Sequence, residues 1–273
     1  MTTRLTGLLL VLPALAMVLL FFILPLSASV IGAFEVEDGF VLANFAKAFD
    51  FYSQDMLFTL LIMCLSTALI GLLAVMIGGY LTLGENPRAV AILRNLYRWP
   101  MFIPFIVVGQ VMRTFLAKNG LMNSTLVASG LIDQAQASSL LDWRGIMIAF
   151  VWKQTPFVTL LVAGAMASLD RGTIEAARNL GASRLRILVE IVVPQVARTI
   201  LVGLILSFVT MMSVLSVPLM INAQSPTMLT ADIAFRINAY GDHGTANALG
   251  TISLVMSAAA ALIYLRMTLR DRS

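Results

Sequence analysis

Very few residues in this sequence are equipped for covalent chemistry: it has one cysteine and one histidine in 273 residues, and charged side chains make up only 12%. A lone cysteine, Cys64, excludes an internal disulfide and leaves the redox compartment open. Set in an apolar run, it reads as a packing residue. His243 and Cys64 form no ligand-spaced cluster, so no metal site is expected. Lysine is scarce as well. Lys47, Lys118 and Lys153 follow Ala, Ala and Trp, so the Gly-Lys-Ser/Thr core of a phosphate-binding P-loop is missing. The net charge of +4 is not gathered into a basic cluster interleaved with aromatics, which argues against nucleic acid as a partner. Asp242 beside His243 is too little for a catalytic constellation, so the chain reads as a non-enzyme that binds no cofactor of its own.

What the sequence has instead is apolar length. Hydrophobic residues are 59% of the chain, a balance that calls for lipid as solvent. A helix needs ~20 apolar residues to cross ~30 Å of hydrocarbon. Uncharged stretches at Leu5–Phe34, Met56–Gly84, Thr199–Ala231 and Gly244–Leu265 meet that requirement, as do Trp99–Ala117 around Arg113 and Gly145–Leu169 around Lys153. The expectation is one all-α, polytopic domain over 1–273 with six transmembrane helices at about 5–33, 56–83, 98–117, 144–169, 199–222 and 245–267. The first span, preceded by Arg4, is too long for a secretory h-region and reads as an uncleaved anchor. Asn119 to Leu141 is too polar for lipid and reads as a partly helical outer loop, with Leu121, Leu126 and Leu131 resting on the bundle.

Arginine sets the orientation. With a cytoplasmic N-terminus, that side carries Arg4, Arg88, Arg94, Arg98, Arg171, Arg178, Arg184, Arg186, Arg198, Arg266, Arg270 and Arg272, 12 of the 18 basic residues. The positive-inside rule then places both termini in the cytoplasm.

Between spans four and five, residues 170–197 alternate charge with apolar periodicity. This predicts two short helices. Thr173 caps the first, Glu175 complements its dipole, and Gly181 supplies a left-handed C-terminal cap. Ser183 caps the second, which carries Leu185, Leu188, Val189 and Val192 on one face before Pro194.

The run Glu175-Ala176-Ala177, three residues, Gly181, nine residues, Ile191, one residue, then Val193-Pro194 resembles the EAA signature of binding-protein-dependent ABC importer permeases; only Val193 departs, where leucine is expected. The resemblance, extended over most of the chain by the six-span topology, implies a type I ABC importer permease of a bacterial inner membrane. It implies a coupling loop built on Glu175, Ala176, Ala177, Leu180, Gly181, Ile191 and Pro194 that docks on a separate ATPase. The implied partners are two ATPase subunits carrying ATP and Mg, a second permease of paralogous sequence, an external solute-binding protein and membrane lipid. The small alanines at 176 and 177 suit close approach to such a partner.

Candidates for lining a solute path are Gln110, Arg113, Lys153, Gln154, Thr210 and Ser213, because polar groups inside spans face a cavity or a neighbouring helix. Arg113 and Lys153 have a second reading as snorkelling cations. Ser207, Thr210, Ser213 and Ser216 do not share one helix face and suit helix packing. Asn119 to Asn123, Gly130 to Ile132 and Glu175 to Ser183 are similar to the first permease of spermidine/putrescine importers, whereas Trp152 to Phe157 resembles sugar permeases. With no Asp or Glu expected inside a span, an anionic solute fits beside a polyamine-like one. That absence also weighs against an ion-coupled secondary transporter.

Overall fold

The computed structural model describes residues 11–36 and 39–270. Arg4, residues 5–10 of the first expected span and residues 271–273 lie outside the described residues. In chain order the helices are α1 (Val11–Gly32), α2 (Ala43–Leu83), α3 (Pro87–Leu96), α4 (Phe105–Leu116), α5 (Leu121–Ala128), α6 (Trp143–Ala167), α7 (Arg171–Asn179), α8 (Arg184–Met212), α9 (Ser216–Ile221), α10 (Leu229–Tyr240) and α11 (His243–Arg270). A short antiparallel hairpin pairs β1 (Glu35–Val36) with β2 (Gly39–Phe40).

Where one domain is expected, packing divides the chain into two compact units: residues up to Gln54 with Asp232–Val255, and Asp55–Ala231 with the chain from Met256 onward. In the first, Asn44 Nδ2 donates to the carbonyls of Ala33 at 3.2 Å and Glu35 at 3.0 Å, tying the hairpin to the start of α2. Ser29 Oγ donates to Asn247 Oδ1 at 3.0 Å. Arg236 is held by the hydroxyl of Tyr52 and lies over the rings of Phe51, Tyr52 and Tyr240. Asp242 accepts from Lys47 and from the Thr245 backbone at 3.1 Å.

The second unit holds the main core. Ile70, Ala74, Val108, Phe150, Val158, Val162, Met211 and Val217 are all fully buried at the meeting of α2, α4, α6, α8 and α9. Two glycines let helices close up. A methyl on Gly78 would lie 3.1 Å from the sulfur of Met166, and one on Gly203 would lie 3.3 Å from Val158.

Among the described residues five helices, α1, α2, α6, α8 and α11, are long and apolar enough to cross a membrane, or six if the bent pair Pro87–Phe102 and Phe105–Ala128 is one span. The third expected span is not a single helix. Instead of one helix over 98–117, a tight turn at Trp99–Phe102 is followed by α4, and the segment bends by 106°. The cause is local: Pro104 pushes Ile103 into extended backbone (φ −89°, ψ 123°), as a following proline does. The span expected at 199–222 is likewise divided. Pro218 has no N–H to give the Val214 carbonyl; that carbonyl accepts Thr230 Oγ1 at 3.0 Å instead, and α8 stops at Met212. At its other end α8 starts at Arg184, so the second loop helix does not stop before Pro194. It runs through the proline by way of a π turn at Leu188–Val192.

Cys64 is exposed, not packed. In the outer segment Leu121 and Leu131 point outward. The anchor there is buried Asn123, whose amide nitrogen reaches the carbonyls of Lys118 at 3.0 Å and Ser138 at 2.8 Å.

Candidate functional site

Helix α7 is nine residues long and is defined by its caps. Its N-cap is Asp170, whose Oδ1 accepts the Gly172 N–H at 2.9 Å. Thr173, expected as the cap, donates its hydroxyl to Asp170 Oδ2 at 3.3 Å and so supports the cap from inside the first turn. At the other end Gly181 takes φ +81°. Its N–H reaches Arg178 O at 2.9 Å and the Ala182 N–H reaches Ala177 O at 3.0 Å. This is the Schellman pattern that favours glycine at that position. Ser183 caps α8 as expected, accepting from Arg186 N at 3.3 Å.

The face of α7 is set by Ile174 and Ala177, which are buried in the main core, while Glu175, Ala176, Leu180 and Gly181 are exposed. Leu180 is 88% exposed. Ala177 is therefore corrected as a contact surface: its small size serves packing against its own chain. In α8, Ile187 and Val192 face inward while Leu185 and Val189 are exposed, so the expected stripe of Leu185, Leu188, Val189 and Val192 is turned from its predicted direction. Ile191 is half-buried against the core, and Pro194 is exposed in the first turn after the π turn. Two contacts fix the loop beneath α2: Arg178 donates to Leu83 O at 3.2 Å, and Arg184 pairs with Glu85. Glu175 makes no ion pair among the described residues.

The six path candidates separate. Lys153 Nζ donates to the carbonyls of Pro100 at 2.9 Å and Met101 at 2.7 Å. It supplies donors to the break that Pro104 creates. Gln154 is buried in the core, its Nε2 without a partner among the described residues, and Ser207 is buried in the same way. Arg113 is exposed on α4 and donates to Met220 O at 3.3 Å; Gln110 is exposed one turn earlier. Thr210 and Ser213 do meet, lining a cavity of about 540 Å³ with Phe105, Ile106 and Ser216 at the end of α8. Their hydroxyls are already donated to Leu206 O at 2.7 Å and Thr210 O at 2.8 Å, leaving their oxygens as acceptors.

Sequence reading missed Asp55, one residue before the span expected at 56–83. It lies within α2, 2% exposed, and accepts from Ser225 Oγ at 3.2 Å and from Thr227 N at 2.6 Å. Its charge is spent on holding the segment before α10. Among the described residues no three His, Cys, Asp or Glu side chains group as metal ligands.

Residues 72–270 match the family described as the binding-protein-dependent transport system inner membrane component. The trehalose/maltose transport system permease protein MalF of Thermococcus litoralis is 27% identical, over 96% of this chain and 92% of that protein. The spermidine/putrescine transport system permease protein PotB of Escherichia coli is 28% identical over 61% of this chain and 60% of its own length. Among solved structures, a bacterial ABC transporter involved in the import of the acidic polysaccharide alginate superposes with a TM-score of 0.81 at 18% identity, covering 98% of this chain and 96% of that one.

Proposed function

Because this chain belongs to the family of binding-protein-dependent transport system inner membrane components, we propose that it forms one half of the solute path of an ATP-driven importer and couples that path to a separate ATPase through α7. The coarse part of this reading, a membrane-embedded permease subunit of an ABC importer, follows from the family and from the shared fold. The finer part rests on one observation, the bare outer face of α7. A capped helix that buries Ile174 and Ala177 at home and leaves Glu175, Ala176 and Leu180 uncovered is built to enter a groove on another protein.

In this reading ATP and Mg are bound by two ATPase subunits, a second, paralogous permease completes the path, and an external binding protein delivers the solute. Both termini face the cytoplasm, as the arginine distribution requires. The solute is small and polar. A neutral or anionic one suits Arg113, the exposed cation of α4, and is supported by likeness to a trehalose/maltose permease and to an alginate transporter. Likeness to a spermidine/putrescine permease supports the polyamine alternative. An ion-coupled secondary transporter gains nothing from Asp55, since that carboxylate is already hydrogen-bonded within the fold.

The deciding experiment is affinity co-purification from mild detergent. Recovery of a P-loop ATPase with the wild-type chain, and its loss with Leu180→Glu at unchanged thermal stability, supports the reading. Recovery of the chain alone, with solute transport after reconstitution without ATP, overturns it.

A further inference from the structure

Two concavities of the second unit share a wall. The first, of about 580 Å³, is ringed by Arg94, Arg98, Arg171 and Arg178, with Glu175 as its one acidic residue. Arg98 donates to the Tyr97 hydroxyl at 3.2 Å and Arg178 to Leu83 O, each leaving further N–H groups free. Arg94 and Arg171 have no partner among the described residues. Four guanidinium groups against one carboxylate leave this cavity in deficit of negative charge, and the planar donor fork of arginine matches phosphate oxygens.

The second concavity, of about 480 Å³, is almost wholly apolar. It adjoins the first at Tyr97, which lines both. The helices that build them are also shared, and in register. On α2, Leu69, Leu73 and Ile77 line the groove and Leu81 the cavity, one residue per turn along a single face. On α6, Val151, Trp152 and Thr155 line the groove, and Leu160, Ala163 and Ala167 the cavity. On α3, Leu93 and Leu96 turn to the groove and Arg94 to the cavity. The apolar strip thus lies along the spanning helices and the charged one at the end where they meet the α7 loop. From Leu69 to Ile77 the strip is about 12 Å long at 1.5 Å rise per residue, the reach of a substantial part of an acyl chain.

We propose that cavity and groove together are a binding site for an anionic phospholipid, the phosphate held among Arg94, Arg98, Arg171 and Arg178 and an acyl chain lying along the groove past Tyr97. A basic pocket between spanning helices next to an apolar channel is the complement of an anionic headgroup with its tail. The site goes beyond the importer reading and does not depend on which solute is carried. It places a lipid phosphate against Arg171 and Arg178 of α7, the helix proposed to dock on the ATPase.

The test is native mass spectrometry of the full chain, purified with its co-expressed partner subunits and titrated with phosphatidylglycerol or with phosphatidylcholine of the same acyl chains. Phosphatidylglycerol is expected to bind about tenfold more tightly. The double variant Arg94→Gln/Arg171→Gln, at side chains without protein partners, removes most of that preference, whereas Arg88→Gln does not. Leu96→Trp, at an exposed position on the groove, weakens both lipids. Equal binding of the two lipids, or an unaltered preference in the double variant, overturns the proposal. Displacement of phosphatidylglycerol by millimolar inorganic phosphate would identify a soluble oxyanion as the ligand, and loss of lipid on joining the second permease would show the groove to be a protein interface; either result overturns it as well.

Discussion

Asp55 accepts the backbone N–H of Thr227 at 2.6 Å across 172 residues of sequence, and Thr59, one turn along α2, accepts the N–H of Leu229 at 3.0 Å. Two successive turns of one helix thereby replace the backbone partners that the segment ahead of α10 lacks. Asp55→Ala leaves buried donors unmet and should lower stability by about 2–4 kcal/mol. Asp55→Asn retains an acceptor oxygen and should cost less than half as much. Denaturant unfolding followed by circular dichroism separates the two.

Lys153 serves the break at Pro104. Its two carbonyl contacts predict that Lys153→Met lowers stability by about 2–4 kcal/mol while Arg113→Met, at an exposed side chain, stays within about 1 kcal/mol. Equal losses for the two would mean that Lys153 is not spent on the break.

Ala176 and Ala177 are neighbours with opposite neighbourhoods. Ala177→Trp overpacks the core and should lower stability by about 1–3 kcal/mol or more. Ala176→Trp should leave the melting temperature alone and abolish ATPase co-purification. Melting curves and pull-downs on the same preparations give both readouts.

Gly181 at φ +81° predicts that Gly181→Ala costs about 1 kcal/mol and Gly181→Asn less, because asparagine tolerates the left-handed region better. A larger loss of ATPase binding than of stability would report misalignment of Leu180.

Burial of Asp242 opposes its ionisation, but the hydrogen bonds from Lys47 and Thr245 outweigh it and hold the carboxyl below the usual carboxylate range. A depressed carboxylate stabilises the fold above its unfolded value, near pH 4, and that contribution is lost as pH falls through the lower, folded value. Thermal stability measured across this acid range should fall more steeply for wild type than for Asp242→Asn, which starts lower at neutral pH.

Much of this was legible in local sequence. The α6 span and the Gly181 and Ser183 caps are short-range features, set by residues within a few positions of one another. The break in the third span was missed because a sliding count of apolar residues does not register Pro104, although the proline itself was in view. Asp55 could not be read, since its partners lie some 170 residues away and only the fold joins them. The inward face of α7 was missed for a related reason. Ala176 and Ala177 are chemically identical, and only Ile174 packing into the core decides which of them turns outward.

The run of α8 through Pro194 has a mechanical consequence. Its 29 residues form one rod of about 44 Å at 1.5 Å per residue, from the Ser183 cap to the cavity lined by Thr210 and Ser213. A rod does not absorb a push along its axis; it delivers it. In the importer proposed above, a movement imposed at Arg184 is carried along this helix toward the Ser213–Val214 gap, past the π turn at Leu188–Val192 where the ladder is locally rewound.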